Sequence, residues 1–234
     1  MPHQEILADF LPEHFILFLP KDVVSGDFFW YAQMGQQVIF AVADCTGHGV
    51  PGALMSMLGI SFLNKIVQER KHSDPGKILN ILRNEVIKAL KQKGNSDEQM
   101  DGIDIALCTY DREKKSLKFA GAYNPLYLVR QGTLQVVPAK RMTISFPYGD
   151  AGNFQTHRLD MQSGDQLYLF TDGFADQFGG PDRKKFKYNR FRELLLSISD
   201  KSMVEQKMHL HEQFISWKGD EVQYDDVAIL GVRI

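Results

Sequence analysis

Four acidic positions stand where an apolar, β-favouring run meets a glycine or a second acid. They are Asp27 in Ser25-Gly26-Asp27-Phe28-Phe29, Asp44 in Val42-Ala43-Asp44-Cys45-Thr46-Gly47-His48-Gly49, Asp172 in Thr171-Asp172-Gly173, and the pair Asp225-Asp226 before Val227. Taken singly, an aspartate in such a place is an ordinary turn or cap residue. Taken together they allow another reading, because gathered carboxylates repel and resist burial unless positive charge lies between them. Hard divalent cations such as Mg²⁺ or Mn²⁺ take oxygen ligands and keep several waters. Two such ions about 4 Å apart lower the pKa of a shared water and neutralise a phosphoryl group under in-line attack. On spacing alone, independent caps and a shared metal centre both stay open.

Other chemistries have less to stand on. The two cysteines, Cys45 and Cys108, make neither a disulfide framework nor a zinc site, and their apolar settings are not those of catalytic thiols. No G-x-x-x-x-G-K-[ST] loop is present, so Gly47, Gly49 and Gly52 do not form that nucleotide cradle. A net charge of −2 over 234 residues argues against a nucleic-acid or membrane surface. Met1-Pro2-His3-Gln4-Glu5 lacks the basic start of a signal peptide, and no long uncharged apolar run suggests a membrane span. The expectation is a soluble, cytoplasmic protein in a reducing compartment.

Residues 1–13 read as a lead-in or linker and 14–234 as one domain. Strands are expected at 14–19, in the aromatic run 27–31 and at 38–43, which sets Asp27 and Asp44 on adjacent antiparallel strands. A helix follows from 51 to about 70, with Leu54, Met57 or Leu58, Phe62 and Ile66 on one buried face that Met55, Ile60 and Leu63 widen. Asp74-Pro75 opens a second helix to about 93, ended by the polar stretch 94–97. Short strands are expected at 103–110, 117–120, 126–129, 134–137, 154–159 and 166–170, with an irregular segment at 138–153. Gly179 to Lys185 reads as a mobile basic loop, followed by helices at 188–198 and 201–217 and a last strand at 227–234. This order is not the alternation of a parallel α/β sheet. It suits an α+β domain in which two antiparallel sheets pack together with helix pairs outside.

The motifs above, with Ala120-Gly121-Ala122, Asn124-Pro125 and Gly164-Asp165, occur in an order and spacing that resembles the SpoIIE-type branch of the PPM (phosphatase 2C-like) metal-dependent protein serine/threonine phosphatases. The resemblance covers about residues 14–234. It implies a four-layer αββα sandwich and two Mn²⁺ or Mg²⁺ ions, with hydrolysis of protein phosphoserine or phosphothreonine by a metal-bridging water. Carried over by position, Asp44 bridges both ions, the Cys45 carbonyl binds one, and Asp172 and Asp225 hold the other. Asp27 acts near the water as ligand or through a second water. Asp226 is a further ligand candidate, and Asp176, with help from Asp101, matches the position of a weaker third metal.

Two departures stand out. Thr46 occupies the position where many eukaryotic relatives carry a histidine thought to act as general acid, which leaves His48 as the catalytic candidate here. The relatives' phosphate-binding arginine has no counterpart beyond Lys21. Relatives commonly sit behind a sensor domain, dephosphorylate STAS-type anti-sigma-factor antagonists, and are switched and dimerise through the helix pair at 51–70 and 75–93. The chain therefore reads as an excised or free-standing effector domain, with a homodimer and an upstream sensor among the expectations. The alternative is a catalytically weak phosphatase-fold module that binds a phosphoprotein partner.

Overall fold

The computed structural model describes residues 9–93, 101–146 and 152–234. Among these residues, two antiparallel sheets form the middle of the fold. The first has the order β2 (Phe28–Met34), β3 (Gln37–Cys45), β4 (Ile103–Asp111), β5 (Ser116–Ala122), β8 (His157–Asp160). The second has the order β1 (Glu13–Leu19), β12 (Val227–Arg233), β9 (Gln166–Phe170), β6 (Leu126–Arg130), β7 (Thr133–Val137). Helices α1 (Gly49–Asn64) and α2 (Pro75–Leu90) cover the first sheet, and α4 (Tyr188–Ser197) and α5 (Met203–Lys218) cover the second. A single turn, α3 (Gly173–Asp176), and a small hairpin of β10 (Phe178–Gly179) and β11 (Lys184–Lys185) connect β9 to α4. The result is the expected αββα order of layers.

Strand alternation produces the layering directly. In β3, Ile39, Ala41 and Ala43 face α1 and α2, while Val38, Phe40 and Val42 face the other sheet. In β9 and β12, Leu167, Leu169, Ala228 and Leu230 face inward, while Tyr168, Phe170 and Ile229 turn toward α4 and α5. Three apolar layers result, and β3, β9 and β12 are buried on both faces, which is why they read as continuous apolar runs.

Capping follows the local sequence. The Asp74 side chain accepts from Lys77 N at 3.1 Å with Pro75 at the first helical position, and Ser202 with Glu205 forms a capping box at α5. The expected stop at 94–97 lies outside the described residues, as does 147–151 of the irregular segment. α2 itself ends at Leu90, and Lys91 closes it in the left-handed conformation at φ 53°.

Three sequence expectations change. Leu54 and Met57 are not core: they are 63% and 68% exposed. α1 turns Gly52, Ser56 and Gly59 inward in their place, beside Met55 and Leu63, which were expected there. Its small residues let it lie so close that a Cβ on Gly59 would meet Ile103 Cδ1 at 3.0 Å and the Phe28 ring at 3.1 Å. Val50, Leu54 and Met57 are therefore left on the outer face. That face is also why α1 with the π-helical turn Lys65–Glu69 is, by length and composition, apolar enough to cross a membrane: 21 residues, with 39% of its most apolar window buried in the fold.

Second, the strand expected from Phe154 begins only at His157. Phe154 is buried under α2, where the Asn80 side-chain amide pairs with its N–H and C=O at 3.0 Å each, in place of a sheet neighbour. Third, the basic loop at 179–185 is an ordered hairpin. Gly179 lies against the Trp217 carbonyl and Gly180 against its ring, so the hairpin is seated on α5.

The close approach of α1 sets a test. Gly59→Leu inserts volume where none is available and is expected to cost about 1–3 kcal/mol in urea unfolding. Met57→Lys on the outward face is expected to cost less than about 0.5 kcal/mol. Equal costs would contradict the orientation of α1.

Candidate metal centre

The same alternation that layers the core carries the acids to one end of it. Asp44 continues the inward parity of Val38, Phe40 and Val42 and leaves β3 at the end of the inter-sheet space. Asp104 continues the parity of Ala106 and Cys108 in β4, and Asp27 that of Phe29 and Tyr31 in β2. Register sets Asp104 directly across from Asp44, and Phe28 across from Ala43, so that Asp27 and Asp104 flank Asp44 on its two sides. The opposing sheet brings Thr171-Asp172 from the end of β9 and Asp225-Asp226 from the start of β12. One side chain ties the two sheets at this edge: Thr171 Oγ1 donates to Asp27 Oδ2 at 2.6 Å and accepts from Ala228 N at 2.9 Å.

These carboxylates do not tolerate one another's charge. Burial first, then the charges of Asp27, Asp172, Asp225 and Asp104, push Asp44 up to about 10. Burial, with Asp225, Asp176 and Asp104, raises Asp172 to about 6, and burial raises Asp104 to about 6. Asp27 is raised well above the usual carboxylate range by its burial, against the Thr171 hydrogen bond, and Asp225 is raised by its burial too. Nearby positive charge inverts this logic for every member at once.

The residues fit a hard divalent cation. The available donors are carboxylate and carbonyl oxygens, and Asp104 Oδ1 is buried with no hydrogen-bond partner among the described residues. A cavity of about 370 Å³ lies between Asp44, Cys45, Asp104 and Asp225, with His48, Tyr123 and Thr143 on its wall. Among the described residues, no three Asp, Glu, His or Cys side chains converge tightly enough to cage an ion unaided. That arrangement suits an ion that keeps some of its waters.

The other candidates divide. Asp226 is buried and both its oxygens are engaged: Lys21 N donates to Oδ1 at 2.7 Å and Gly26 N to Oδ2 at 2.8 Å. It fastens the segment leading to Asp27. Asp176 is paired through Oδ2 with Lys185 Nζ at 2.7 Å, so an ion there would have to displace an ammonium. His48 is exposed on the cavity wall with Nδ1 2.8 Å from Asp22 Oδ2, to which it donates. Thr46 prolongs the pairing of β3 with β4, its N donating to Gly102 O and its Oγ1 accepting from Gly102 N, both at 3.0 Å. The Cys45 thiol is buried in the helix-side core, while its carbonyl would lie 3.2 Å from a Cβ on Gly26. The Gly47 carbonyl likewise fills the space a side chain on Gly26 or Gly52 would need. These glycines let three backbone segments cross beside Asp44. Lys21 bears on Asp225 through its charge. Asp101 accepts from Gln92 Nε2 through its backbone carbonyl at 2.6 Å.

Asp104 lines the cavity, and motif reading missed it. Its signal was a single acid in the inward parity of an otherwise apolar strand, Ile103-Asp104-Ile105-Ala106, with no glycine beside it.

With this geometry in hand, comparison with known proteins is informative. The SiaA-PP2C domain of Pseudomonas aeruginosa superimposes with a TM-score of 0.87 at 33% identity, covering 99% of this chain and 90% of that one. The PP2C phosphatase domain of SpoIIE from Bacillus subtilis, solved with a fragment of its regulatory domain, has a TM-score of 0.75 at 20% identity, covering 95% and 63%. A more distant structure of the same fold, RsbX, was solved in complex with magnesium (TM-score 0.62, 16% identity, 94% of each chain). In sequence, the chain is 25% identical over 211 residues to the phosphoserine phosphatase RsbU of Bacillus subtilis, covering 84% of its own length and 59% of that protein's. The family model for Stage II sporulation protein E (SpoIIE) matches residues 34–234, and the chain belongs to the SpoIIE family.

Proposed function

We propose that this chain is a Mn²⁺- or Mg²⁺-dependent phosphoprotein phosphatase that removes phosphate from serine or threonine of a signalling protein. A STAS-type anti-sigma-factor antagonist is the substrate that fits its relatives best. One observation carries the reading: carboxylates from both sheets converge on Asp44 at the open end of the sandwich, in a chain of the SpoIIE family. The reduced cysteines, both buried, suit a cytoplasmic setting.

Asp44, Asp172, Asp225 and the Cys45 carbonyl are the groups that would hold two divalent cations. When bound, such ions supply positive charge to the phosphoryl group and acidify a water. The protein's own contributions follow from the contacts already described. Asp27, held by the Thr171 hydroxyl, is placed to take a proton from water at Asp44. Asp226 keeps the 21–26 segment, and so Asp27, in place. His48, with Nδ1 held by Asp22, has Nε2 available to give a proton to the departing seryl oxygen. Lys185, 2.7 Å from Asp176 and with Asp172 within reach of its charge, adds fixed positive charge on the α3 side.

Asp44→Asn and Asp172→Asn are each expected to lower Mn²⁺-dependent hydrolysis of a phosphoserine protein by about a hundredfold or more. Undiminished turnover in either variant, or in excess chelator, would refute the reading.

The role given to His48 has a separate signature. His48→Gln is expected to slow phosphoserine hydrolysis about tenfold or more. Hydrolysis of p-nitrophenyl phosphate, whose leaving group needs no proton, should be almost unaffected. Equal losses on both substrates would remove His48 as the acid.

A further inference from the structure

We propose that Asp104 is a further cation-facing carboxylate of the centre, acting beside Asp44 on the ion that the Cys45 carbonyl also faces. This deepens the proposed function and rests on it. Nothing in the motifs marks the residue. Its assignment comes from three independent features of the fold.

The first is register. Asp104 and Asp44 are directly opposed in β4 and β3, on the same inward face, where paired side chains stand about 5 Å apart at Cβ. Like charges so placed are destabilising in a sheet, and the strands offer no counter-charge between them. The second is hydrogen bonding. The Thr143 hydroxyl faces the Asp104 carboxylate and favours its charge, and Thr143 is brought there because Ile144 N donates to Ile103 O at 2.9 Å. Oδ1, by contrast, is buried with no hydrogen-bond partner among the described residues. A buried carboxylate oxygen in that state lacks something it is built to contact. The third is place: Asp104 lines the same cavity as Asp44, Cys45 and Asp225. Gly102 leaves room for this arrangement, since a Cβ there would press on Thr143 Oγ1 at 2.9 Å.

An acid serving only as a polar neighbour of Thr143 would work equally well as an amide. A carboxylate is needed if its charge is used, and the use available in this cavity is to hold a divalent cation or the waters around it. Asp104 would thereby add a negative charge to a site otherwise made of Asp44 and a neutral carbonyl, tightening that ion.

Asp104→Asn keeps the shape and an acceptor for Thr143 and removes only the charge. Calorimetric titration with Mn²⁺ of the full 234-residue chain is expected to show about a tenfold or larger loss of affinity for one ion. Two melting curves provide the control for folding. Without metal, Asp104→Asn should melt at or above the parent chain, because the acidic cluster has lost one carboxylate; with saturating Mn²⁺ its gain in melting temperature should be smaller than the parent's. Asp104→Ser should reproduce the loss of affinity. Parent-like affinity and a parent-like metal-induced gain in Asp104→Asn would overturn the inference while leaving the phosphatase reading intact. Failure of the parent chain to bind Mn²⁺ would overturn that reading and this inference with it.

Discussion

The repulsion among partly buried carboxylates at one end of the sandwich is the constraint on which the rest of this structure turns. Asp27, Asp44 and Asp104 leave three neighbouring strands of one sheet on the same face, and Asp172 and Asp225 meet them from the other sheet. Burial and mutual charge oppose ionisation of each, so the ionised set is a high-energy arrangement until cations stand among it. A fold seeking only stability would place apolar residues there, as it does one step further in, where Val42 and Ala106 pair across the same strands. Energy is instead stored in a site whose affinity for hard cations comes from that unmet charge.

The surrounding structure keeps the acids from moving apart. Thr171 bonds Asp27 and the backbone of β12 at once, joining the two sheets where they would otherwise splay. Asp226, its oxygens taken by Lys21 and Gly26, closes the segment before Asp27 onto the second sheet. Gly26, Gly47 and Gly52 let the turn after Asp44, the segment before Asp27 and the start of α1 pack backbone to backbone. Thr46 extends the β3–β4 pairing beyond the last ladder residue, which holds Asp104 opposite Asp44. Such preorganisation means that an arriving ion meets donors already in position.

Much of this was legible in the sequence, for physical reasons. Strands β3, β9 and β12 are buried on both faces, so their apolar runs ended visibly at Asp44, Asp172 and Asp226. What was illegible depended on partners distant in the chain. Asp225 and Asp226 look alike as neighbours, yet Asp226 is committed to backbone groups some 200 residues earlier in the chain. Asp176 could not be read as an ion pair without knowing that a hairpin would fold Lys185 back onto it. Leu54 and Met57 fit a helical stripe, but Gly52, Ser56 and Gly59 won the inward face because close approach to the sheet favoured small residues. Asp104 had no motif at all, and only its register gives it meaning.

The central claim is that the acids cannot all be ionised at neutral pH until divalent cations bind. Asp44, near 10, keeps its proton in the metal-free chain at pH 7, while ordinary exposed carboxylates have lost theirs. A group whose pKa is raised by folding stabilises the fold below its unfolded value near 4 and ceases to do so as pH climbs through its folded value. Cation binding must therefore expel the retained proton. The most direct measurement is calorimetric titration with Mn²⁺ at pH 7 in buffers of differing ionisation enthalpy. The account predicts release of about one proton or more per chain, reduced in Asp44→Asn; binding heats independent of the buffer would contradict it.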